Sequence, residues 1–225
     1  MNVTKISRKE WNRAAVQEAI KKELVELFEE LKALRPIRRA SIKSGTKLLK
    51  SHMFIVEKCL ACGACDKLKA LLVADGKDQD REVYPDRSYP TVATHSVFTV
   101  IGMVPGNLSW LVPTKFDVKG AFVQTPMKGP PMFMKIDPTL SKFVVKLYSE
   151  YDEFLGVDGS LTTELLKAMY SCIQASRLWF YFIVSILKGL GYQQSPTDPC
   201  IMRNFCDGKI FIVLIYVDDL MVLAT

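Results

Sequence analysis

The stretch Ile210-Phe211-Ile212-Val213-Leu214-Ile215-Tyr216-Val217-Asp218-Asp219-Leu220-Met221-Val222-Leu223-Ala224 decides how this chain is read. Two apolar runs rich in β-branched residues flank a single polar interruption, Asp218-Asp219. Each run has the length of a buried strand, and the break between them reads as a tight hairpin. Asp207-Gly208, just upstream, is a further hairpin signal that feeds the first run. An ionised carboxylate beside an apolar core needs compensation. A divalent hard cation with oxygen ligands supplies it, while a plain solvated turn avoids the need.

Toward the N-terminus, residues 108–116 are strand-like and lead into Asp117-Val118-Lys119-Gly120-Ala121-Phe122-Val123-Gln124. An acidic residue at the end of an oily strand places a carboxylate at a sheet edge. Taken with the distant hairpin, it suggests three carboxylates gathered from neighbouring strands. A two-metal phosphoryl-transfer site needs that constellation, because two Mg²⁺ ions about 3.5–4 Å apart must be neutralised and oriented. One ion activates the attacking hydroxyl and the other steadies the leaving pyrophosphate.

The other segments read as alternating helices and strands. Residues 11–34 carry Ile20, Leu24, Leu27, Phe28, Leu31 and Leu34 at helical spacing, and Arg35-Pro36 stops them. The basic tract Arg35, Arg38, Arg39, Lys43, Lys47, Lys50 reads as a solvated linker or a phosphate-contacting segment. Residues 52–58 and 67–74 read as paired strands, and Asp75 to Asp80 as a polar turn. Residues 91–101 read as a helix that Pro105-Gly106-Asn107 follows and breaks. Residues 132–136 read as a strand, and 138–155 and 171–190 as helices. Cys59, Cys62 and Cys65 have a spacing that invites zinc or an iron–sulfur cluster, but no fourth ligand stands nearby, so a hairpin connection is the default.

Composition bounds the function. Half of the 225 residues are apolar, which excludes a disordered chain. No apolar run reaches the length of a membrane span, and no signal peptide opens the sequence. Six cysteines without a secretory signal indicate reduced thiols inside the cell. The net charge of +6 is uneven: residues 1–69 hold 16 Lys and Arg against 8 Asp and Glu, and the remainder 14 against 16. A basic front part is the electrostatic footprint of a nucleic-acid binder or simply a solvated basic surface.

These residues also carry a resemblance. Tyr216-Val217-Asp218-Asp219 resembles the Tyr-x-Asp-Asp box of reverse transcriptases. Asp117-Val118-Lys119-Gly120-Ala121-Phe122 resembles the Asp-Val-Lys-x-Ala-Phe box of copia-type long-terminal-repeat retrotransposons. Lys69-Ala70-Leu71-Leu72-Val73-Ala74 is similar to that family's Lys-Ala-Arg-Leu-Val-Ala strand. Tyr170 to Trp179 is similar to its Tyr-Gly-x-x-Gln-x-x-x-x-Trp segment. Leu190-Gly191-Tyr192, Ser195 and Asp198-Pro199-Cys200 resemble the segment before the catalytic hairpin. The boxes run from about residue 50 to the end, in the family's order.

The resemblance implies an α+β, reverse-transcriptase-like fold with fingers and palm, an antiparallel palm sheet, helices on one face, and truncation before the thumb. It implies three consecutive parts: an N-terminal helix and basic linker (1–49), a fingers-like region (50–116) and an incomplete palm-like region (117–225). Asp117, Asp218 and Asp219 would be catalytic carboxylates and, with the Val118 carbonyl, would ligate two Mg²⁺ ions, with Mn²⁺ as an alternative. Lys69, Phe122 and Gln174 would bind the incoming dNTP, the Phe122 ring excluding a 2′-hydroxyl. Tyr216 and Val217 would flank the primer terminus. Partners would be an RNA or DNA template with its primer, dNTPs, and the thumb and ribonuclease H regions of the polyprotein, with no membrane. The location would be intracellular: cytoplasmic within a virus-like particle, or nuclear.

Departures from the family pattern set further expectations. Leu71 stands where the family has Arg, removing a cation near the triphosphate. Ser171 replaces Gly in a turn expected to need a positive φ. Two classes of function follow: an RNA-directed DNA polymerase fragment, or a catalytically inactive transposon remnant that at most binds nucleic acid.

Overall fold

The computed structural model describes residues 2–59, 65–79, 82, 89–102 and 112–224. The first half contains β1 (Asn2–Lys5), α1 (Ala14–Val25), β2 (Leu34–Pro36), β3 (Leu49–Cys59), β4 (Cys65–Ala74), α2 (Thr94–Gly102) and β5 (Val112–Asp117). The second contains α3 (Ala121–Gln124), β6 (Phe133–Ile136), α4 (Pro138–Leu147), β7 (Leu161–Leu165), α5 (Ala175–Gly189), β8 (Gln193–Gln194), β9 (Ile201–Cys206), β10 (Lys209–Tyr216) and β11 (Asp219–Ala224). The class is α+β. Two compact units form, one from residues 1–85 and 126–175 and the other from 86–125 and 176–225. These units interleave in sequence.

The first unit is built on a mixed sheet in the order β1-β3-β6-β7-β2, with β4 also paired to β3. α1 buries Val16, Ile20 and Leu24 completely and packs on β4. The helix does not run on to residue 34. A π turn spans Glu26–Glu30, with Leu31 N–H donating to the Glu26 carbonyl at 2.9 Å, and Lys32 adopts φ 48°. The left-handed residue turns the chain, and Leu34 enters the sheet opposite Leu165.

In the basic tract after it, Arg35 is ion-paired to Glu164, and Arg38 to Glu153 at 2.6 Å, both within the first unit. α4 starts where Asp137-Pro138 announces it: the Asp137 carboxylate accepts from Thr139 N–H at 2.9 Å and Leu140 N–H at 3.2 Å. It ends at Leu147, short of residue 155. Tyr148 leaves helical geometry at φ −132°, ψ 85°, and residues Ser149–Phe154 form a 3₁₀ turn whose Tyr151 packs with Phe28 and Tyr148.

The second unit is an all-antiparallel sheet in the order β5-β11-β10-β9-β8. Its apolar residues divide between two faces. On one, Trp179, Phe180, Ile183, Val184 and Leu187 of α5 pack on Met202, Val213 and Ile215. On the other, Val100 of α2 packs on Leu214 and Leu223. Helices therefore cover both faces, where one was expected. The turn residues Asp80 and Pro105-Gly106-Asn107, residues 108–111 of the expected strand, and Cys62 lie outside the described residues. Cys59 and Cys65 are backbone partners across the β3–β4 ladder.

Candidate active site

The β10–β11 hairpin closes through two residues, Val217 and Asp218, with Tyr216 opposite Asp219 at its base. A two-residue hairpin loop demands a positive φ in its first central residue, and Val217 supplies it at φ 55°. A β-branched side chain in the left-handed region is strained. Two hydrogen bonds hold the turn in place. The buried Trp179 indole N–H donates to the Val217 carbonyl at 2.5 Å, and Val118 N–H donates to the Asp218 carbonyl at 2.9 Å.

The β5–β11 register sets Asp117 directly opposite Asp219. Directly opposed residues project to the same face of an antiparallel pair. Asp117 is thus the last residue of β5, Asp219 the first of β11, and Asp218 the turn residue between β10 and β11. All three aspartates stand at one end of one sheet, within the second unit. Asp117 and Asp218 are exposed, and Asp219 is half-buried. Lys115 Nζ lies 3.0 Å from the Asp219 carboxylate. Among the described residues, no three acidic, imidazole or thiol side chains converge closely enough to hold an ion.

The remaining sequence-nominated residues divide between the units. Phe122, in α3, is half-buried against the Trp179–Ile183 core, and Tyr216 is exposed. Lys69 is an exposed residue of β4 in the first unit. Gln174 belongs to that unit too, but it is only 4% exposed. Its Oε1 accepts from Gln79 Nε2 at 2.8 Å, and its own amide faces the Met132 sulfur at 3.0 Å. Gln79 Oε1 in turn accepts from Ile173 N–H at 2.7 Å.

Sequence reasoning missed four participants: Trp179 as a donor to the turn, Lys115 beside Asp219, Gln79 behind Gln174, and Asp198. Asp198, 4% exposed, accepts from Ala93 N–H at 3.0 Å and Cys200 N–H at 2.9 Å, joining the start of α2 to the turn before β9. Of these, Trp179 and Asp198 lay within quoted boxes, whereas Gln79 sat in a turn that carried no other signal.

The family model described as "Reverse transcriptase (RNA-dependent DNA polymerase)" matches residues 58–225, which include all three aspartates. The chain belongs to the reverse transcriptase family. Among its relatives is the Retrovirus-related Pol polyprotein from transposon TNT 1-94 of Nicotiana tabacum, 26% identical over 162 residues, or 70% of this chain and 11% of that protein. The Pol polyprotein from transposon RE1 of Arabidopsis thaliana is 28% identical over 186 residues, covering 76% and 11%. That from transposon RE2 of the same plant is 28% identical over 161 residues, covering 71% and 10%. This reverse transcriptase sequence thus spans about a tenth of the length of these relatives. The copia-type resemblance read from its ordered boxes agrees with their names.

Proposed function

We propose that the chain is the fingers and part of the palm of an RNA-directed DNA polymerase, working within a transposon Pol polyprotein. The observation that carries this reading is the Asp117–Asp219 register with Asp218 in the adjoining turn. Three hard oxygen donors at one sheet end suit Mg²⁺, and opposed like charges favour taking up a cation. Asp117, Asp218 and Asp219, with the Val118 carbonyl, would hold two such ions, which supply nucleophile activation and charge neutralisation at the transferring phosphoryl group. The exposed Tyr216 and the Val217 backbone would border the primer end. Phe122 would lie beneath the sugar of the incoming nucleotide, while Lys69 would offer charge to its triphosphate. Gln174, hydrogen-bonded to Gln79 within the first unit, would contact the incoming dNTP.

The template and primer, dNTPs, and other Pol regions (the thumb and ribonuclease H among them) are the partners this reading requires. No helix among the described residues is long and apolar enough to cross a membrane. An intracellular place, in a cytoplasmic particle or the nucleus, follows from the same reading. Primer extension on an RNA template with Mg²⁺ tests it. Incorporation that disappears in Asp218→Asn supports the polymerase, and no incorporation at any protein concentration supports the inactive remnant.

A further inference from the structure

We propose that Trp179 is a positioning residue for the hairpin that presents Asp218, acting through its indole N–H rather than through its bulk. The inference rests on the polymerase reading above for its catalytic meaning, but its geometric basis is separate.

The β10–β11 turn has an internal conflict. Val217 is β-branched and sits at φ 55°, a conformation such residues avoid. The chain needs outside support to keep it there. That support comes to two consecutive carbonyls from two different elements. The Val217 carbonyl accepts from the Trp179 indole of α5 at 2.5 Å, and the Asp218 carbonyl accepts from Val118 N–H, just after β5, at 2.9 Å. Fixing both carbonyls fixes the peptide planes on either side of the Asp218 Cα. The direction in which its carboxylate leaves the turn is thereby set.

Trp179 is well placed for this task. It is 2% exposed, packed with Phe182 at a ring separation of 6.2 Å, and part of the core that joins α5 to Val213 and Ile215. A buried rigid side chain transmits position without searching rotamers. Core packing alone would accept phenylalanine. Only tryptophan adds an apolar-sheathed N–H donor. Trp11 offers the internal contrast: it too is buried, at 6% exposed, yet its indole nitrogen has no hydrogen-bond partner among the described residues. Burial of an indole in this chain does not by itself recruit an acceptor.

The test replaces Trp179 in the full chain with β-(3-benzothienyl)alanine, which keeps the ring shape and exchanges N–H for sulfur. Melting temperature, the turnover rate in primer extension and KM for dNTP are measured. The expected result is melting within about two degrees of wild type, KM changed less than about twofold, and turnover reduced at least about tenfold. 5-Fluorotryptophan, which keeps the donor, should restore turnover, and Trp11→Phe should leave it unchanged. Unaltered turnover in the folded benzothienyl chain overturns the inference while leaving the polymerase reading intact. If the wild-type chain incorporates nothing, that reading fails, and magnetic resonance decides this one. The Trp179 indole proton should resist exchange with solvent, and the Asp218 and Asp219 amide signals should move on substitution. A freely exchanging indole proton overturns the inference, whether or not any variant folds.

Discussion

Asp117 and Asp219 face each other across the β5–β11 pair, two carboxylates in direct cross-strand opposition. Like charges so placed cost roughly 0.2–1 kcal/mol when no cation lies between them. Asp117→Asn should therefore melt at or slightly above wild type in the presence of a chelator. Millimolar Mg²⁺ should raise the melting temperature of wild type by linkage and leave that of Asp117→Asn in place. Scanning calorimetry with and without the ion checks both halves. A variant that still responds to Mg²⁺ would remove Asp117 from the ion site.

Asp198 secures α2. Burial pushes its carboxyl up, but hydrogen bonds from the Ser96 side chain and from Ala93 and Cys200 N–H, with the His95 charge, outweigh burial and hold it below its ordinary value of 3.8. A lowered folded value means the contribution to stability is complete above pH 3.8 and is lost as pH falls through the folded value. Asp198→Ala strands two backbone donors and should cost about 2 kcal/mol near neutrality. In urea titrations at a series of pH values, the gap to wild type should narrow at the acid end. A constant gap would contradict the assignment.

Gly76 and Ser171 form a tight backbone contact. A Cβ added at Gly76 would stand 2.0 Å from the Ser171 carbonyl oxygen, and Ser171 itself is at φ 69°, the positive value expected where the family pattern has Gly. Neither atom of that contact belongs to a flexible side chain. Gly76→Ala should cost about 3 kcal/mol through backbone displacement. Ser171→Gly should gain up to about 1 kcal/mol, the relief of left-handed strain less the entropy of the new glycine. Opposite shifts in the denaturation midpoint are the expected outcome, and a loss in both would show that the Ser171 side chain matters.

Thiol reactivity should follow burial. Burial pushes the Cys172 thiol up to about 12, and burial with the Asp198 charge pushes Cys200 up to about 12 as well. Thiolate is the reacting species, so iodoacetamide at mildly alkaline pH should label the exposed Cys206 and spare Cys172 and Cys200 in the native chain. Peptide mass spectrometry reads the pattern, and early labelling of Cys200 would mean that α5 does not pack on the sheet as described.

The most legible parts of the sequence were those where local pattern and tertiary role agree. The two oily runs around Asp218-Asp219 became β10 and β11, and the helix expected from residue 138 begins there as α4. Tertiary demands hid the rest. β7 reads Leu-Thr-Thr-Glu-Leu, too polar to suggest a buried strand, yet Thr163 is fully buried with its hydroxyl donating to the Met134 carbonyl at 3.3 Å. Leu34 continued a helical apolar spacing but was drawn into pairing with Leu165. In the candidate site, each aspartate could be found because an apolar strand pointed to it. Gln79 and Lys115 could not, since their importance lies in what the fold sets beside them: Gln174 and Asp219.

Pairing β5 with β11 has a consequence for synthesis and for engineering. Roughly a hundred residues separate the partners, including the whole 126–175 segment of the other unit. A nascent chain must keep Val112–Asp117 soluble until its distant mate arrives, although every residue of that strand is exposed even afterwards and, among the described residues, only one of its edges is paired. Such an edge invites stray association between copies. Slow expression at low temperature, or a charged substitution at Val112, should therefore improve recovery of folded material more than any change in the core.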